Sequence, residues 1–163
     1  MAAGLGMAVA PGWALDSLLR ASQREFGRTL AAQSVHLEFS PSFGLRFDDV
    51  EMAGATPDDP PLLTAAALHL PLGMGGLLAH RADFEDVTLS QPRIALAIDE
   101  MGHVNWPAIG SGGARHVFIA GGDLVFSDAR TGQRFTIERL EATAAASETG
   151  EVSARGSGAA NGG

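Results

Sequence analysis

Hydrophobic and polar positions along this chain follow two periods in succession. From Pro11 to about Arg28 the spacing is helical: Leu15, Leu18, Leu19 and Phe26 gather within about 100° of a helical wheel, with Ser22 among them. Arg20, Arg24 and Arg28 recur at i, i+4 and i+8 on the opposite side. Pro11 suits a first turn, where a missing N–H is no loss, and Gly27 suits a stop. The pattern predicts an amphipathic helix over residues 15–30. The arginine stripe reads as a solvated face, or as a membrane-proximal one if a membrane helix comes just before it.

After Leu30 the period falls to two, which predicts strands with one apolar face. Val35, Leu37 and Phe39 alternate with His36 and Glu38; Pro41 and Ser42 make a turn; Leu45 and Phe47 then alternate with Arg46 and Asp48. The loop GATPDDPP at 54–61 leads to a strand in TAAALHLPL, and residues 73–80 have the spacing of a short connecting helix. Further strands are predicted at roughly 81–90, 92–99, 102–106, 115–120, 122–128, 133–146 and 150–156, separated by Gln-Pro, Glu-Met-Gly, Gly-Ser-Gly-Gly, Gly-Gly and Arg-Thr-Gly turn signals. Connections this short join antiparallel neighbours. The expected fold is mainly β (α+β): a helix, then a curved antiparallel sheet of about nine or ten strands over 31–156, and a flexible tail at 157–163.

One four-residue pattern recurs. Phe47-Asp48-Asp49-Val50, Phe84-Glu85-Asp86-Val87 and Ile137-Glu138-Arg139-Leu140 each place two consecutive polar residues between apolar ones. Strict alternation would put the flanking apolar residues on opposite faces. A β-bulge, which inserts one residue, restores both to the same face.

Composition narrows the function classes. The net charge is −8, with the acidic residues scattered, which disfavours a nucleic-acid partner. The absence of cysteine removes disulfides, thiolate metal sites and thiol nucleophiles. The leader MAAGLGMAVAPGWAL carries no charge before Asp16. As a helix it would reach about 22 Å, short of a hydrocarbon core of roughly 30 Å. Residues 1–14 read as the remnant of a membrane helix or as an Ala/Gly-rich leader.

Candidate chemistry is sparse. The five histidines, at 36, 69, 80, 103 and 116, have no short zinc-type spacing, and no nucleophile elbow, phosphate loop or His-Glu-x-x-His is present. The acidic pairs fall in strands or turns, where they are solvated or point apart, so paired acid/base work is poorly supported. No metal, cofactor or catalytic residue is expected. The segment DEMGHVNWP at 99–107 gathers Asp99, His103, Asn105 and Trp106, and its geometry gives a structural reading first. Gly102 turns the chain, Asn105 satisfies backbone groups and Pro107 ends the strand.

The same segment, within PRIALAIDEMGHVNWP, resembles the part of AsmA-family proteins in which a "P-x-I-x-L" strand runs through an acidic turn with glycine into Asn-Trp. LLRASQREFGRTL, VHLEFSPSFGLRFDDVEMAG, PPLLTAAALHLPLGMGGLLAH and HVFIAGGDLVFSDARTGQRFTIERLEATAAA resemble other family segments in the family's order, over residues 8–147. The resemblance implies a bacterial inner-membrane anchor through an N-terminal helix and a periplasmic sheet with an apolar inner face. It implies a part in outer-membrane assembly and in moving phospholipids between membranes, with phospholipid acyl chains and other envelope proteins as partners. Lipid-facing candidates are then Val35, Leu37, Phe39, Leu45, Phe47, Ile94, Leu96, Ile98, Leu124 and Phe126, which a closed core would equally explain. Arg20, Arg24 and Arg28 would be membrane-proximal. A scaffold that recruits envelope proteins through its sheet edges is the alternative.

Overall fold

The computed structural model describes residues 7–9, 12–39, 43–72, 78, 86–106, 116–146 and 151–162. Helix α1 spans Trp13–Phe26 and buries Ala14, Leu18 and Ser22, a four-residue spacing that marks a single face. Leu19, which the helical wheel places on the buried side, is 40 % exposed. Gly27 ends the helix in the left-handed conformation (φ 60°), its N–H bonding the Gln23 carbonyl at 3.0 Å. Ser22 donates to the Leu19 carbonyl and accepts from the Leu30 N–H at 3.2 Å, tying the helix to the first strand beyond it. Among the described residues no helix is long and apolar enough to cross a membrane. Part of the leader, Met7–Val9, is a strand (β1) rather than the end of a helix.

The remaining strands are β2 (Leu30–Ala31), β3 (Ser34–Glu38), β4 (Gly44–Met52), β5 (Leu63–Pro71), β6 (Asp86–Ser90), β7 (Arg93–Ile98), β8 (His116–Asp128), β9 (Gln133–Ala146) and β10 (Val152–Gly162). They form one sheet in the order β1-β3-β4-β5-β6-β8-β9-β10, with β2 on β4 and β7 between β5 and β8. The sheet is mixed. Most ladders are antiparallel, but β6 and β7 both run parallel to β8, which corrects the expectation of a wholly antiparallel sheet. That expectation assumed an intervening strand at 102–106. There, among the described residues, only Val104 bridges back to Ile98, and β7 and β8 are separated in sequence by more than the dozen residues that parallel pairing requires.

Two further expectations change. The Gly121-Gly122 pair does not separate two strands; it lies inside β8. Residues 157–162, expected as a flexible tail, are the second half of β10, whose ladder with β9 reaches Gly162 opposite Phe135. Gly158 is required there, because a Cβ on it would meet the Ile137 side chain at 2.5 Å. The expected connecting helix at 73–80 lies outside the described residues except for Leu78.

A single crease crosses the sheet. In β4, Asp49 takes φ 50°; it falls between the pairs Asp48↔Ala67 and Val50↔Ala65, level with Ala66 of β5. Ala66 stands level with Gln91 (φ 50°), where β6 gives way to β7. Gln91 in turn stands level with Gly121 (φ 66°) of β8, between the pairs Ser90↔Ala120 and Arg93↔Asp123. The line continues through the register shifts beside Gly122, through Arg139 (φ 52°) of β9 and through the shift between Ser157 and Ala159 of β10. Asp49 and Arg139 are the third residues of two of the recurring four-residue patterns. The middle pattern begins outside the described residues.

The crease switches the phase of the apolar positions. On one side of it Leu45 and Phe47 of β4 are buried; on the other, Val50 and Met52 are. Both pairs belong to one cluster with Leu68, Leu70, Val87, Leu89, Val35, Leu30 and the helix residues Ala14 and Leu18. The two half-strands therefore turn their apolar sides to the same face. Burial of each large side chain contributes about 1.5–3 kcal/mol, against roughly 1–2 kcal/mol for each left-handed non-glycine residue. The packing outweighs the backbone strain.

Candidate functional site

Burial on the apolar face declines across the sheet. Leu45 and Phe47 are fully buried and Val35 is 5 % exposed, so these three predicted residues lie in the closed core. Leu37 is half-buried against it. On β7, β8 and β9 the face opens. Cross-strand register aligns Ile94, Leu124 and Ile137 in one row and Leu96, Phe126 and Phe135 in the next. All six are half-buried except Phe135, which is 40 % exposed, and the Phe126 and Phe135 rings stack at 4.9 Å. Ile98 extends the face toward the Val104 bridge. The structure thus groups Ile94, Leu96, Ile98, Leu124 and Phe126 and sets Phe39 apart, 54 % exposed and against Phe43 at 5.3 Å. Phe135 and Ile137 belong to the group but were not singled out in the sequence, although RFTIE alternates. Placing them requires the β8–β9 register.

Residues 99–106 of the segment DEMGHVNWP fold as a strand surrogate. Asp99 accepts from the N–H groups of Met101 and His103, both at 2.8 Å, and pairs with His103 Nδ1 at 3.0 Å. The carboxyl is held below the usual range by the His103 N–H above all, against a smaller upward push from burial. The chain then returns along the free edge of β7. The Asn105 side chain accepts from the Ala97 N–H and donates to the Ala95 carbonyl, both at 2.8 Å, while its own N–H bonds the Ala97 carbonyl at 3.0 Å. One side chain does there what a neighbouring strand would do. Trp106 packs against the core.

Arg28 reaches the same turn, donating to the Asn105 carbonyl at 2.9 Å and to that of Ala53 at 3.3 Å. Its guanidinium holds a turn. Arg20 is exposed, and the Arg24 side chain lies outside the described residues.

The opposite face is polar. His36 pairs with Asp48 at 3.1 Å and His69 with Glu38 at 2.8 Å, with Arg46 between them bonding Asp48 at 2.8 Å. Partial burial pushes the Asp48 carboxyl upward, but Arg46, Ser34 and His36 together hold it below its ordinary value. At the far turn Arg130 grips Asp128 through Nε and Nη2 and lowers its pKa. Every described histidine faces a carboxylate, His116 bonding Asp86 at 2.8 Å; His80 lies outside the described residues. Among the described residues no group of three or more such side chains has the arrangement of a metal site. Clefts of about 290 and 370 Å³ open on this polar side, around Asp49, Glu51, Gln91 and Arg93 and around Arg93, Asp123, Thr136 and Glu138.

Comparison with protein families, curated proteins and solved structures finds no match.

Proposed function

We propose that the chain binds lipid acyl chains on the open half of its apolar sheet face, as a periplasmic module of the AsmA kind anchored at the bacterial inner membrane. Such a module serves outer-membrane assembly and phospholipid movement between membranes. The observation that carries this reading is the pair of aligned apolar rows, Ile94–Leu124–Ile137 and Leu96–Phe126–Phe135, left half-exposed where Leu45, Phe47, Val50, Leu68 and Leu70 of the same face are buried. A contiguous apolar surface on a folded chain marks a site for an apolar partner. An acyl chain is unbranched and without polar groups, so it covers such a floor without leaving an unsatisfied donor or acceptor.

Native mass spectrometry after gentle purification tests the reading. Co-purifying phospholipid is expected, and Phe126→Asp is expected to abolish it, because a carboxylate in the middle of the floor cannot be desolvated cheaply. A lipid-free protein that also fails to enhance the fluorescence of cis-parinaric acid, an 18-carbon fatty acid, would refute it.

A scaffold role is the second reading, favoured by the β10 edge. This strand runs from Val152 to Gly162, pairs among the described residues with β9 alone, and carries one charge, Arg155, and no proline. Natural edge strands usually carry such protection against pairing. Crosslinking in cells from positions on β10 separates the two, since a scaffold traps protein and an acyl-chain site traps lipid.

A further inference from the structure

We infer that the crease is what composes the open apolar face, and that Gln91 and Arg139, with Gly121 between them, are its positioning residues. The role in binding rests on the reading proposed above; the geometry does not. In β8, Val117 and Ile119 stand opposite Ala144 and Ala142 of β9 on one side of the crease, and Leu124 and Phe126 opposite Ile137 and Phe135 on the other. Val117 packs against the common core and so does Leu96, the partner of Phe126. Odd positions of β8 therefore face inward before Gly121 and even positions after it. A regular strand cannot do this, because its side chains alternate strictly.

Four features mark this line. Gln91 and Arg139 adopt the left-handed conformation without being glycine, and neither side chain makes a hydrogen bond within the described structure that would compensate. Pro92 is fully buried and supplies no N–H where the ladder is interrupted. A Cβ at Gly122 would meet the Pro92 ring and the Ile119 side chain, both at 2.9 Å, so the two strands close to contact only at glycine. The ladder resumes at once on either side, with Gln91 N–H to the Ala120 carbonyl and Asp123 N–H to the Pro92 carbonyl, both at 2.8 Å. The interruption is local and shared by neighbouring strands at one level, which makes it a property of the sheet. Without it, Leu124 and Phe126 would join the polar side, and the apolar floor would end at Ile119.

The chain has no cysteine, so a single introduced thiol reports one position. Thiols placed singly at Phe118, Ile119, Val125 and Phe126 are to be reacted with a bulky maleimide, with and without cis-parinaric acid. Ile119→Cys and Phe126→Cys, one odd and one even, are expected to be slow together and slowed further by the fatty acid. Phe118→Cys and Val125→Cys are expected to react faster and without response. Slow reaction at 119 and 125 together would show uninterrupted alternation and overturn the inference. If cis-parinaric acid does not bind the unmodified chain, the acyl-chain reading falls, while the reactivity pattern without ligand still decides the crease. Gln91→Gly, which accepts the left-handed conformation, is expected to bind like the parent. Gln91→Val, which does not, is expected to bind roughly tenfold more weakly, with the contrast between 125 and 126 reduced. Equal binding by the two variants would remove Gln91 from the positioning role, and a Gln91→Val chain that fails to fold leaves the parent's reactivity pattern as the deciding result.

Discussion

Replacing Asn105 by alanine tests whether one side chain stands in for a strand. The substitution removes two hydrogen bonds of 2.8 Å and strands the Ala97 N–H and the Ala95 carbonyl on the edge of β7, while the Asn105 backbone bond to Ala97 survives. Asn105 is half-buried, so water reaches these groups only in part. At about 1–1.5 kcal/mol for each bond lost without a replacement partner, the destabilisation comes to about 2–3 kcal/mol. With a urea dependence of about 2 kcal/mol per molar, the midpoint falls by roughly 1–1.5 M. The assay is urea unfolding followed both by far-ultraviolet circular dichroism and by tryptophan fluorescence, since Trp106 adjoins the turn. Asn105→Asp sharpens it. The carboxylate still accepts from Ala97 but opposes the Ala95 carbonyl with a second oxygen, so the loss should match or exceed that of alanine. A loss under about 0.5 kcal/mol in Asn105→Ala would show that water replaces the amide, and the strand-surrogate account would fail.

Three more outcomes follow from the same geometry. Phe47→Ala should cost about 3–5 kcal/mol in the same unfolding assay, because the ring is fully buried at the centre of the core and its removal leaves a cavity. Arg28→Ala should cost about 1 kcal/mol for its two carbonyl contacts, and a double-mutant cycle with Asn105→Ala should show coupling of at least about 0.5 kcal/mol, since both hold one turn. Asp48, Asp99 and Asp128 all have folded pKa values below the ordinary 3.8, so in acid the unfolded chain binds more protons than the folded one. Their contribution is complete above about pH 5 and is lost as pH falls through 3.8 toward the folded values. Urea midpoints should therefore be level from about pH 5 to 7 and drop below about pH 4, with a shallower drop in Asp48→Asn.

Much of the local structure was legible in the sequence because its causes are local. Helical spacing followed by Gly27 defined α1 and its stop, since a left-handed C-cap is a property of one residue. Alternation located β3, β4, β5, β7 and β9, although it also placed a strand at 102–106, where only Val104 forms a bridge, and divided β8 in two. The two consecutive polar residues in FDDV and IERL marked the places where Asp49 and Arg139 turn left-handed, but an inserted residue accompanies only the second: the β4–β5 register is continuous across Asp49, whereas the β8–β9 register shifts beside Arg139. DEMGHVNWP read as structural before chemical, and its asparagine does satisfy backbone groups.

Only the tertiary structure decided what depends on neighbours distant in sequence. The Gly121-Gly122 pair signals a turn as well as it signals a bulge, and pairing with β7 and β9 selects the bulge. The parallel direction of β8 is set by its pairing with β6 and β7, while residues 99–106 before it read in the sequence as turn and strand. Small residues in ARGSGAANG resemble a loose tail until β9 offers carbonyls and Ile137 leaves no room for a Cβ at Gly158. Above all, alternation says that Phe47 and Phe126 each have an apolar side but not which of them will be covered. That depends on where α1 and the Trp106 turn pack, which encloses the first and leaves the second half-exposed. Local periodicity sets which side chains share a face; long-range packing sets which part of that face meets solvent.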